Sequence, residues 1–374
     1  MKALRLLVIV IVVGALGGGV VWYIVNRTAT QTTNTIGNIE RESMSALHKA
    51  AQDGDVATLR TLIADGADPD RALRGTVGSG RTPLMVARDA ATVDALLEAG
   101  AGLGETDAEG FTALMCQAQD GHADAVAALV KAGASVNVFD NGGTWSPLHL
   151  AAQQGEPGAV RALLDAGAEV DPVWVPQGRT LTQLSPSPLH LAARNGHLEV
   201  VRMLLDAGAD ISCRTSPSPA LQAAATGGHR EIAKLLLARG ADVNEQRDRG
   251  LSALMAAARA GKLELVRELI AAGADVNAST EDGQTALLVA SDVDVAIVDA
   301  LLGAGADVNV QRSSDGMNAL MVAALAEKTD IVKRLLDAGI DRARPNDFNE
   351  TAAQLARTRG TPTGDAIAKL IEAK

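Results

Sequence analysis

The chain has 374 residues, of which 47% are hydrophobic and 2% aromatic, and its 34 basic and 45 acidic residues give a formal charge of −11. A core of this composition has to be built from Ala, Leu and Val in close helix packing, and the acidic balance argues against nucleic acid as a partner, because phosphate binding needs a basic face. Two cysteines, Cys116 and Cys213, are too few for a disulfide framework, and both read as thiols outside any disulfide.

In chain order, residues 1–5 form a short amino-terminal segment carrying Lys2 and Arg5. The run Leu6 to Val25 then has no charged residue. As a helix rising 1.5 Å per residue it would span about 30 Å, the hydrocarbon thickness of a bilayer, so residues 6–25 read as a transmembrane helix in contact with lipid. A cleavable signal peptide is the competing reading, with Ala15-Leu16-Gly17 as the cleavage site. Lys2 and Arg5 outweigh Arg27 beside the span, which places residues 1–5 in the cytoplasm and the rest across the membrane. Trp22 and Tyr23 fit an interfacial aromatic belt, and Gly14 and Gly18 form a G-x-x-x-G pair through which two such helices would approach.

Residues 26–43 lose the apolar period and become rich in Thr, Asn and Gln, which marks a flexible linker. The sixteen residues from Thr28 behave as a coil with an end-to-end distance of roughly 20 to 25 Å. Asn26-Arg27-Thr28 matches a glycosylation sequon beside the span.

From residue 44 the sequence becomes periodic. Gly-Ala-Asp-Val-Asn stands at Gly240–Asn244, Gly273–Asn277 and Gly305–Asn309, with degraded copies beginning at Gly66, Gly100, Gly133, Gly167, Gly208 and Gly339. Successive leading glycines differ by 34, 33, 34, 41, 32, 33, 32 and 34 residues. Such a recurrence signals a repeat architecture. In the clearest unit, Ser187 caps a first helix, Pro188 opens it, and Leu189, Ala192 and Ala193 form its apolar stripe. Gly196 makes the turn, Val200, Val201, Leu204 and Leu205 face inward from a second helix, and Gly208 ends it.

Ser187-Pro188-Leu189-His190-Leu191-Ala192-Ala193, Gly196-His197, Val200-Val201, Leu204-Leu205 and Gly208-Ala209-Asp210 closely resemble the ankyrin repeat. The resemblance covers 44–374, with helix starts at Ser45, Thr82, Thr112, Ser146, Ser187, Pro219, Ser252, Thr285, Asn318 and Thr351. It implies an all-α solenoid of stacked helix-turn-helix units with β-hairpin fingers: nine repeats and a carboxyl-terminal cap carrying Ile367, Leu370 and Ile371. It also implies a protein-binding scaffold that recognises partners through a concave groove and its fingers.

Departures from the period are expected to carry specificity. From Thr82 to Gly100 three residues are missing around Arg88 to Ala91, which predicts a shortened inter-helix turn. Gln117 replaces a buried alanine and needs a partner or solvent. About eight residues are inserted between Asp171 and Ser187, where Val173 to Leu181 read as a lengthened hairpin around Pro176-Gln177-Gly178. Trp174 on it is either an exposed anchor or a residue packed on Leu181, Leu184 or Trp145. Candidate partner-binding residues are Asp140, Asn141, Trp145, Trp174, Val175, Arg179, Asp248, Arg249, Asp282 and Asp315.

Catalysis, cofactors and metals find no support. His48, His149 and His190 occupy the Leu-His position and His122, His197 and His229 follow the turn, where family members bridge neighbouring backbones. None falls at metal-ligand spacing. Gly100 to Gly104 lacks the Lys-Ser/Thr ending of a phosphate loop, and no nucleophile or acid-base motif is present. The expected protein is a single-pass bacterial inner-membrane scaffold with its repeats in the periplasm and an unidentified protein partner. A secreted effector freed of its leader is the alternative.

Overall fold

The computed structural model describes residues 45–73, 80–173, 185–214, 216–247 and 249–373. They fall into two compact units, one ending at Ala113 and one starting at Leu114. Among the described residues no helix is long and apolar enough to cross a membrane. Leu6 to Val25, where the span is expected, lies outside them.

The first unit contains the helices α1 (Ala46–Asp53), α2 (Val56–Ala64), α3 (Pro83–Val86) and α4 (Ala90–Glu98). Ser45 caps α1 by accepting from His48 N, and His48 Nε2 bonds the Arg81 carbonyl at 3.0 Å, tying the first helix pair to the second. The three missing residues of the second repeat shorten more than the turn. Helix α3 has 4 residues where α1 has 8, so the deletion removes its last turn. The chain is rescued at Asp89, whose carboxylate accepts from Thr92 N at 2.9 Å and starts α4 directly.

The second unit continues with α5 (Ala113–Asp120), α6 (Ala123–Lys131), α7 (Pro147–Gln154), α8 (Pro157–Asp165), α9 (Pro188–Asn195), α10 (Leu198–Asp206), α11 (Ala220–Gly227) and α12 (Arg230–Ala238). It then runs through α13 (Ala253–Arg259), α14 (Leu263–Ala271), α15 (Ala286–Ala290), α16 (Val295–Gly303), α17 (Ala319–Leu325), α18 (Thr329–Asp337), α19 (Ala352–Arg357) and α20 (Pro362–Ala373). Each helix start read from the sequence immediately precedes its first helix. First helices pack on first helices, as α9 does on α7 and α11, and second helices on second, as α10 does on α8 and α12. Small residues make this possible: Ala192 and Ala193 of α9 are 0% exposed. Val201 and Leu204 of α10 are equally buried, each stabilising by about 1.5–3 kcal/mol. Leu205 is only half-buried, so the inward stripe is narrower than expected.

One expectation needs correcting. The fingers are not β-hairpins: among the described residues they hold only isolated antiparallel bridges, Thr106 to Thr112, Arg247 to Leu251, Ser279 to Thr285 and Gln311 to Asn318. Their arms are too short for a ladder before the next helix cap begins. The carboxyl-terminal segment holds the helix pair α19 and α20, in which Ala352, Leu355, Ala356, Ile367, Ala368 and Ile371 are buried.

The recurring pentapeptide is explained by its hydrogen bonds. Asp275 Oδ1 accepts from Asn277 N at 2.9 Å and folds the turn on itself. Asn277 then reaches into the following repeat, donating from Nδ2 to the Gly305 carbonyl at 3.1 Å and accepting at Oδ1 from Asp307 N at 2.8 Å. Asn244 does the same to Gly273 O and Asp275 N, at 3.1 and 2.8 Å, and Asn137 to Gly167 O and Glu169 N, at 3.2 and 2.9 Å. One side-chain amide thus satisfies a donor and an acceptor that the end of a helix leaves open.

Candidate functional site

Four consecutive fingers of the second unit are joined backbone to backbone. Glu281 N donates to the Arg249 carbonyl at 2.9 Å, Ser313 N to Asp282 O at 2.9 Å, and Asp347 N to Asp315 O at 3.1 Å. This row fixes the spacing of its side chains, which is what a surface needs to recognise a partner without first ordering itself.

Four of the ten predicted partner-binding residues, Asp140, Trp145, Asp282 and Asp315, also build the fingers. Asp140 Oδ1 accepts from Thr144 N and Trp145 N at 2.7 and 2.8 Å, making a carboxylate-centred turn. Asn141 is exposed beside it. Trp145 is half-buried, its ring edge-on to His149 at 6.3 Å, and Phe139 packs on the same imidazole at 6.4 Å. Arg249 is exposed with φ 64°, in the left-handed region, so its side chain leaves the finger from a position that usually carries glycine. Asp282 is exposed and accepts from the Thr280 hydroxyl. Asp315 pairs with Arg312, whose guanidinium holds its carboxyl below the usual range, and its Oδ1 accepts from Met317 N at 3.1 Å. Trp174, Val175, Arg179 and Asp248 lie outside the described residues.

Two further finger residues matter. Arg247 is half-buried, and its guanidinium donates to the Cys213 and Ser212 carbonyls at 2.6 and 2.7 Å and pairs with Glu245, so it clamps one finger to the one before. Phe348 is 72% exposed on the finger after Asp347. It went unremarked in the sequence, although an aromatic residue among Asp347, Asn349 and Glu350 at fingertip register was the available signal. Exposed aromatics of this kind are enriched at binding hot spots.

The histidines act as structural bridges. His197 Nε2 bonds the Gln153 carbonyl at 3.0 Å, His229 Nε2 the Arg194 carbonyl at 3.0 Å, and His190 Nδ1 the Ser218 carbonyl at 3.0 Å. Burial pushes His149 and His190 each down to about 4, so both are neutral at pH 7. His122 is the exception. It meets the Gln117 amide oxygen at 2.8 Å, and that contact gives a fully buried glutamine a partner. Cys116 and Cys213 are buried and not in a disulfide. Among the described residues no group of three or more His, Cys, Asp or Glu could hold a metal ion.

One groove of about 400 Å³ opens between the eighth and ninth turns, lined by Val293, Asp294, Val295, Glu327, Lys328 and Thr329. Here Glu327 takes the place of the turn glycine with φ 56°, and its carboxylate accepts from the Thr361 hydroxyl at 2.6 Å.

Comparisons with known proteins agree on the repeat. A family model described as ankyrin repeats in three copies matches residues 88–173, 220–312 and 291–372, and a single ankyrin-repeat model matches 43–72 and 187–216. No curated protein matches the sequence. Among solved structures, the crystal structure of the human ASB11 ankyrin repeat domain is similar, with a TM-score of 0.51 and 25% identity, over 71% of this chain and 99% of that one.

Proposed function

This chain belongs to the ankyrin-repeat family, whose repeats are protein-interaction modules, and on that premise we propose that it is a membrane-tethered scaffold for a partner protein. The observation that carries the interaction reading is the joined row of fingers, which presents Arg249, Asp282 and Phe348 at fixed spacing, with Asn141 exposed on an earlier finger. Trp145 packs at the base of the Asn141 finger against His149. The enlarged interval with Trp174, Val175 and Arg179, together with Asp248 and Asp315, belongs to it on sequence grounds.

The tether rests on the uncharged run 6–25 and the linker 26–43, with 44–374 as the interaction domain. Lys2 and Arg5 ahead of the run put that domain on the outer side of a bacterial inner membrane, and Gly14 and Gly18 offer a dimerisation face. Proximity labelling from the carboxyl end, with protease treatment of intact spheroplasts, tests the topology. Labelled periplasmic proteins and a cleaved repeat domain are expected; labelling of cytoplasmic proteins alone overturns it. Sequencing the mature amino terminus separates anchor from leader, since a start after Gly17 would make this a secreted effector.

A further inference from the structure

The joints between repeats offer an internal control. At three of them an asparagine, Asn137, Asn244 or Asn277, accepts at Oδ1 from a backbone N–H of the next repeat and donates from Nδ2 to the carbonyl of that repeat's Gly. Asp171 occupies the same place after Gly167-Ala168-Glu169-Val170. Its Oδ2 accepts from Asp210 N at 2.7 Å, reproducing the first half of the clamp. The other oxygen, Oδ1, is buried and has no hydrogen-bond partner. At the three asparagine joints the second polar atom is Nδ2, and it donates to the carbonyl of the next repeat's Gly, the residue that corresponds here to Gly208. An ionised carboxylate has no hydrogen to give, so the donation that the three asparagines make is missing at this joint.

We propose that the joint between the fourth and fifth repeats is a proton-operated clamp, closed when Oδ1 of Asp171 binds a proton and donates it to the Gly208 carbonyl as Asn137, Asn244 and Asn277 do at their joints. The step is a simple protonation: the carboxylate gains one proton from solvent, and a hydrogen bond forms with no covalent bond broken. The surroundings favour it. Burial, and to a lesser degree the Asp210 carboxylate that faces Asp171 from the next repeat, raise the Asp171 carboxyl above its ordinary range, against the backbone hydrogen bond from Asp210. On its own turn the nearest charged residue is Glu169, again an anion. A folded-state value above the unfolded one means the folded joint takes up the proton first, so this contribution to stability grows as pH falls through the folded value and is lost as pH rises. Asp171 sits at the root of the enlarged interval between Asp171 and Ser187, and the switch therefore acts on the joint beside it.

The test compares the full chain in detergent with its Asp171→Asn variant, reading thermal midpoints at about pH 8 and about pH 4, either side of the window in which a raised carboxyl titrates. Asparagine supplies the missing donor at every pH. The variant is expected to melt about 2–4 °C higher at the upper pH, with the gap closing at the lower. Taking the difference cancels the titration of histidines common to both chains. Asn137→Asp, which puts the same carboxylate into an intact joint, should lose midpoint at the upper pH and recover at the lower. An Asp171→Asn gap that is equal at both pH values, or absent at the upper one, overturns the proposal.

Discussion

The turns of the fifth and ninth repeats do the same work with opposite materials. In the fifth, Gly196 has φ 88°, and the His229 ring of the next repeat lies so close that a Cβ on Gly196 would sit 2.5 Å from its Cε1. In the ninth, Glu327 adopts φ 56° without being glycine, and its side chain reaches to Thr361 of the next pair beside an open groove. The first helices differ in the same sense, His190 of the fifth repeat answering to Met321 of the ninth. A repeat position is therefore defined by the connection it must make to its neighbour. Glycine with a histidine above it is one solution; a strained glutamate with a hydroxyl partner is another.

Acid should separate the two most strongly. His190 is held neutral in the fold at about 4, below its ordinary value of 6.5. Its contribution is therefore complete above pH 6.5 and is lost as pH falls toward 4, by on the order of 3 kcal/mol. Hydrogen exchange followed repeat by repeat should show α9 losing protection in that window while α17, built on Met321, does not. Equal loss in both helices would break the comparison.

Gly196→Ala comes next, at about 2 kcal/mol, combining a left-handed conformation with displacement of the His229 ring. Urea unfolding measures it, and a cost near zero would mean that the ring yields freely. His229→Ala removes the bond to the Arg194 carbonyl and should cost about 1 kcal/mol by the same measurement. Smallest is Glu327→Gly, where relief of backbone strain offsets loss of the Thr361 contact, leaving a change under about 0.5 kcal/mol. Glu327→Ala keeps the strain, loses the contact and should destabilise by about 1 kcal/mol, sharpening the contrast with glycine.

The helix pairs were legible because their signals are local. Ser187, Pro188, Gly196 and Gly208 announce caps, first turns and stops within a few residues, and Val201 and Leu204 follow one helical period. What stayed hidden depends on register between repeats. That Asn277 bonds Gly305, that Glu327 meets Thr361 and that Arg247 holds Ser212 and Cys213 are contacts across 28 to 35 residues. No spacing rule within one repeat encodes them. The candidate surface was half legible for the same reason: Asp140 and Asp315 were recognised as fingertip residues, but their carboxylates turn back to hold their own turns.

The forward reach of the asparagines also bears on how such a chain lengthens by descent. Each intact copy carries both a connector for its successor and the backbone groups that receive its predecessor, so a unit duplicated in tandem fits on both sides without compensating change. Where the connector is a carboxylate, as at Asp171, a new copy inherits a joint that answers to solvent. Tandem growth from that point would multiply acid-responsive seams, and growth from Asn244 or Asn277 would multiply indifferent ones.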